Sequence, residues 1–127
     1  MVGLREARAL LNLGLWDGAY YLAGYAIEYA VKACIAKATR RYEFPDKKKV
    51  DSSHSHDLSQ LIKVAGLEGA LLDKLRNDTE FRTNWLTAQY WSEQTRYRRH
   101  APESAKELVA AVTDRNHGVL PWIRLHW

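Results

Sequence analysis

Between Trp16 and Lys37, apolar residues fall at Trp16, Tyr20, Ala23, Ile27, Ala30 and Cys34. These alternating steps of four and three keep one face of a helix turned toward a packed partner. A second stripe, Tyr21, Tyr25 and Tyr29, recurs every fourth residue on another side. This helix therefore has something to offer in more than one direction, and is expected at the centre of the fold or against a second subunit. Gly18, Ala19, Ala23, Gly24, Ala26, Ala30 and Ala33 are small enough to let neighbouring backbones approach closely. Gly18 and Gly24 each cost about 1 kcal/mol of helix propensity relative to Ala, which tertiary packing must outweigh. Glu28 and Lys32 stand four apart with the acid on the N-terminal side, the favourable order for a helical ion pair, worth roughly 0.2–0.5 kcal/mol if exposed.

The same reading divides the rest of the chain. Leu4, Ala7, Leu10 and Leu11 predict a short amphipathic helix with Gly14 as its stop. The long helix ends among Lys37, Arg40 and Arg41, cations placed at the negative end of its dipole, and its pattern dissolves at Phe44-Pro45. Residues 42–56, with the triple Lys47-Lys48-Lys49, read as an exposed loop. Asp57 followed by Gln60 resembles a capping box and opens a helix from Leu58 to Ala65. Gly66 interrupts it, and Leu67, Leu71, Leu72 and Leu75 mark another short turn or two before Asn77-Asp78. From Thr79 a further helix carries Phe81, Trp85, Ala88 and Ser92 on one strip, with an end between Tyr97 and His100. Pro102 starts the last helix, whose core candidates are Leu108, Val109, Val112, Val119, Leu120 and Ile123, with Pro121 kinking or splitting it near His117. No alternation of period two is long enough for a strand. The prediction is an all-α, up-and-down helical bundle of four to five main helices with a kinked C-terminal helix.

Composition adds bounds. The 127 residues make a single domain, 1–127, long enough for one core without metal or disulfide support. Cys34 is the lone cysteine, and no signal peptide or long apolar run stands out, so a soluble, cytoplasmic protein without a membrane role is expected. A net charge of +4 favours a polyanionic partner. Five Trp and seven Tyr supply large, rigid contact surfaces with polar tips, suited equally to a helical core and an oligomer interface.

The stretch YWSEQTRYRRH, Tyr90 to His100, carries the most suggestive chemistry. Arg96, Arg98, Arg99 and His100 crowd beside Trp91 and Tyr97, and guanidinium forks with aromatic faces suit both phosphate and an unstacked base. The competing reading is a solvated basic helix end. Glu93 stands three and four positions before Arg96 and Tyr97 as a possible orienting partner. Arg stabilising phosphate charge while His100 moves a proton is enough for metal-independent cleavage of RNA by its own 2′-OH. SHSHD, Ser53 to Asp57, offers two imidazoles and a carboxylate, but three ligands so close in sequence do not easily meet one ion without others, so no metal is expected. His56 or His54 could still line a site near the basic cluster. Cys34 reads as a small core hydrophobe, and His117 and His126 as structural. No cofactor motif is visible.

Taken in order, AYYLAGYAIEYAVKACIAK, FPDKKK, HSHDLSQLIKVAG and NWLTAQYWSEQTRY resemble the HEPN domains of prokaryotes, small helical proteins often encoded beside a minimal nucleotidyltransferase. The resemblance runs from Arg5 to Trp127 and is strongest at Tyr25 to Ala33 and at His56 to Leu58. It implies an up-and-down bundle, usually a homodimer, with an RNA- or nucleotide-binding cleft near the dimer axis; several members are ribonuclease toxins. Nuclease members separate an Arg and a His by about four to six residues, whereas Arg96 and His100 enclose only Tyr97, Arg98 and Arg99, a spacing that stacks both on one helical face. The leading expectation is a protein that binds RNA or a nucleotide through Arg96, Tyr97, Arg98, Arg99, Glu93, Trp91 and His56, acting with a nucleotidyltransferase partner in a two-gene toxin–antitoxin-like module. The alternatives are an endoribonuclease toxin using Arg96 and His100, and a purely structural dimerisation or partner-binding module.

Overall fold

A computed structural model describes residues 2–41, 57–91 and 101–127. Among the described residues there are seven helices and no strand: α1 Val2–Asn12, α2 Trp16–Arg41, α3 Leu58–Val64, α4 Glu68–Asn77, α5 Thr79–Tyr90, α6 Pro102–Thr113 and α7 Val119–Arg124. Five of them run ten residues or more, in line with the expected bundle. None is long and apolar enough to cross a membrane.

Local chemistry sets the boundaries. The turns after α1 and α3 pass through Gly14 (φ +77°) and Gly66 (φ +75°), left-handed conformations that cost a residue with a Cβ far more than glycine. At the first, the Leu15 N–H donates to the Leu10 carbonyl at 2.9 Å and Gly14 to Leu11 at 3.1 Å; at the second, Leu67 donates to Ile62 and Gly66 to Lys63, both at 3.0 Å. These pairs satisfy carbonyls that a helix end leaves without partners. Asp57 caps α3 by accepting from the N–H groups of Ser59 and Gln60. Asp78 caps α5 by accepting from Phe81 N–H at 2.9 Å. The Arg82 guanidinium donates to the Leu75 carbonyl, closing the end of α4.

The long helix α2 lies at the centre, against α1, α3, α6 and α7. Tyr20, Ala23, Ile27, Ala30 and Cys34 of the expected stripe are buried, and Trp16 is half-buried with the Lys106 ammonium above its ring. Ala19, Ala26, Val31 and Ile35 widen the buried face. Burying Ile27 and Val31 contributes roughly 1.5–3 kcal/mol each, enough to offset the helix cost of Gly24. Around α2 stand Leu58, Leu61 and Ile62 from α3, Phe81, Trp85 and Ala88 from α5, and Leu108, Val109, Val112, Val119, Leu120 and Ile123 from α6 and α7, all buried. The Cys34 thiol lies 4.0 Å from the Ile123 carbonyl and 3.8 Å from that of His126, and burial pushes its pKa up.

Two expectations sharpen in detail. The C-terminal helix, expected to be kinked or split near His117, is split there into α6 and α7. Asp114 accepts from the N–H groups of Asn116 and His117, building a turn, and Pro121 sits in the first turn of α7, where its missing N–H breaks no helical bond. The Glu28–Lys32 pair forms at 2.9 Å, but it is not a surface pair: the Glu28 side chain is 2% exposed and that of Lys32 29%. Partial burial raises both the desolvation cost and the attraction.

Candidate functional site

The tyrosine stripe of α2 forms an aromatic ladder with a solvent side. Tyr21 and Tyr25 place their ring centroids 4.6 Å apart and join hydroxyls at 3.2 Å; Tyr25 and Tyr29 follow at 5.8 Å. Spacing of four residues on a helix produces this ladder directly. Tyr29 is 60% exposed and Tyr21 lies at the surface, so the ladder has a solvent side. Glu28 stands one position before Tyr29 and Lys32 three positions after it, and the two pair along the same helix with the ammonium partly exposed.

The end of α5 meets this surface through Trp91. Its ring stands edge-on to Tyr25, centroids 5.4 Å apart at 83°, and lies directly over Gly24. A Cβ at position 24 would fall within the indole, so the absence of a side chain there makes room for a tryptophan. The sequence suggested small residues for backbone approach; at Gly24 what approaches is a ring. With φ −55° and ψ −49°, Trp91 is still helical.

This burial corrects one expected role. The sequence groups Trp91 with the basic residues as a surface for RNA or nucleotide, yet it is only 2% exposed and cannot offer a face to a base. It completes the strip Phe81, Trp85, Ala88, Trp91, whose steps of four, three and three were a helical core signal readable in the sequence. Among the described residues no acceptor meets its buried indole N–H. Tyr90 beside it is exposed, as is Leu86 one turn earlier.

The remaining sequence-predicted site residues, Glu93, Arg96, Tyr97, Arg98, Arg99, His100 and His56, lie outside the described residues. Their described neighbours are close together. Gln89 Nε2 donates to Ser59 Oγ at 3.0 Å, joining α5 two residues before Trp91 to the start of α3 three residues after His56. The middle of α2, the start of α3 and the end of α5 are thus linked by Gly24–Trp91 and Ser59–Gln89. Chemically, the exposed Tyr29 ring can stack on a base, and the partly exposed Lys32 ammonium stands three positions on in the same helix. Among the described residues no three His, Cys, Asp or Glu side chains gather as a group able to hold a metal ion.

No curated protein and no solved structure matches the chain. The model of the HEPN domain matches residues 3–115, which include the tyrosine ladder, both capped helices α3 and α5, and the basic stretch after Trp91. With that match extending over most of its length, the chain belongs to the HEPN domain family.

Proposed function

We propose that this HEPN protein binds RNA or a nucleotide through Arg96, Arg98 and Arg99, as a homodimer of single-domain chains acting in the cytoplasm with a nucleotidyltransferase partner in a two-gene toxin–antitoxin-like module. The observation that carries the reading is the placement of Trp91: the chain enters its arginine-rich stretch from a ring held against the tyrosine ladder. Cations beside exposed aromatic faces are the combination that single-stranded nucleic acid favours. Tyr97 and the ladder residue Tyr29 supply stacking faces in this reading, Glu93 orients an arginine, His56 adds a polar contact, and Trp91 anchors. Family membership supports a connection with RNA or nucleotides; the partner and the two-gene arrangement come from the resemblance alone.

Binding of fluorescent single-stranded RNA across a salt series tests it. Affinity should fall with salt, and replacing Arg96, Arg98 and Arg99 by Ala should weaken binding and flatten the log–log slope by about 2, from the roughly 0.7 per phosphate contact of single strands. Unchanged affinity in the triple variant removes the proposed surface. The spacing of Arg96 and His100 favours a second reading, a metal-independent endoribonuclease in which Arg96 holds the scissile phosphate and His100 transfers the proton. RNA incubated with the protein in EDTA decides it: cleavage abolished by Arg96→Ala and by His100→Ala supports that mechanism, and cleavage surviving both, or none at all, rejects it.

A further inference from the structure

At the joint between α6 and α7, just past the span matched by the HEPN model, His117 has a carboxylate at each ring nitrogen. Nδ1 lies 2.9 and 2.8 Å from the two oxygens of Asp78, and Nε2 lies 3.0 Å from an oxygen of Glu80. A neutral imidazole has one N–H and one lone pair; it can donate to one of these carboxylates and must turn its lone pair toward the other. An imidazolium donates to both. The ring is also held in place by its own backbone: the His117 N–H donates to Asp114, and its carbonyl accepts from the Asn84 amide at 2.9 Å. Asp78 in turn caps α5 and pairs with Lys74 of α4 at 2.9 Å. The charged groups around the imidazole are therefore Asp78 and Glu80 at the start of α5, Lys74 behind Asp78, and Asp114 in its own turn.

We propose that His117 is a pH-operated clasp: as an imidazolium it fastens the α6–α7 joint to the start of α5, and losing its proton loosens α7 from the bundle. The remaining proton stays on Nδ1, which faces both oxygens of the less exposed Asp78, so the Glu80 contact is released first. The hydrogen bond to Asp78 holds the His117 pKa above 6.5 despite partial desolvation, with the charges of Asp78, Glu80 and Asp114 acting in the same direction. The clasp is closed below that ordinary value and opens as pH rises through the raised one. Because Val119, Leu120, Trp122 and Ile123 of α7 are buried, opening at the joint exposes core.

Two measurements on the full chain test this without reference to RNA. Nitrogen-15 NMR of the imidazole should find His117 taking up its second proton with a midpoint above 6.5. Asp78→Asn, which keeps an oxygen for the helix cap, should lower that midpoint, and Glu80→Gln should lower it less. Hydrogen exchange at the Trp122, Leu125 and His126 amides, corrected for the intrinsic pH dependence, should lose protection as pH passes the His117 midpoint, and this step should vanish in His117→Gln. A His117 midpoint at or below 6.5 and unmoved by Asp78→Asn overturns the proposal, as does a protection step that persists in His117→Gln.

Discussion

Gly24 is the position where helix propensity and packing make opposite demands on one methyl group. In the interior of α2, replacing Gly by Ala should favour the helix by about 1 kcal/mol. In the folded protein that methyl falls among Cε2, Cδ2 and Cζ2 of Trp91, so the indole must leave a site where it is 2% exposed and edge-on to Tyr25. Overpacking of this kind costs about 1–3 kcal/mol, and a spoiled edge-to-face contact about 0.5–1.5 kcal/mol more. Set against the propensity gain, Gly24→Ala should lower stability by a net amount of about 1–3 kcal/mol. Trp91→Ala should cost about 3–5 kcal/mol. In that background the three atoms nearest the new methyl are gone, so Gly24→Ala should now stabilise by about 1 kcal/mol, a change of sign that gives a coupling of about 2–4 kcal/mol. Urea unfolding of the four proteins by circular dichroism, with slopes compared, measures every corner of the cycle. Equal stabilisation by Gly24→Ala with and without the tryptophan would mean that the ring does not rest on the glycine.

Three further outcomes follow from the described contacts. Lys32→Ala should destabilise by about 1–3 kcal/mol in thermal or urea unfolding, more than breaking a surface pair, because it takes the ammonium from a carboxylate whose side chain is 2% exposed. Asp57→Ala should cost about 0.5–2 kcal/mol and fray the start of α3, with faster amide exchange at Ser59 and Gln60. Stability should plateau between two limbs: Asp78 and Asp114, both held below 3.8 chiefly by backbone hydrogen bonds, contribute above that value and lose their contribution as pH falls through their folded values. His117, raised above 6.5, contributes below that value and fades as pH rises through its folded one, so His117→Gln should remove its part of the alkaline limb in a pH series of melting temperatures.

What the sequence made legible was local in origin. The stripe Tyr20, Ala23, Ile27, Ala30, Cys34 and the Glu28–Lys32 spacing depend only on helical geometry, and both appear in the fold. Asp57, Gly14 and Gly66 act at boundaries through hydrogen bonds to residues a turn or less away, which is why they could be read directly. The extent of Glu28 burial depends on neighbouring helices, which no spacing within α2 reveals. Trp91 was drawn toward the arginines by adjacency in the chain, although its place is decided by a glycine in a different helix. The meeting of His117 with Asp78 likewise spans the distance from one helix joint to another. At the proposed site, charge and residue type were legible from Glu93 to His100, but the convergence of Arg96 and His100 lies outside the described residues.

The thiol beneath the end of α7 gives this chain a native clock. Cys34 is the lone cysteine, and it sits under the carbonyls of Ile123 and His126 with its ionisation suppressed by burial. An alkylating reagent needs an ionised and accessible sulfur. Its rate of capture therefore counts the moments when the closing segment lifts away, and no label has to be engineered into the protein to time them.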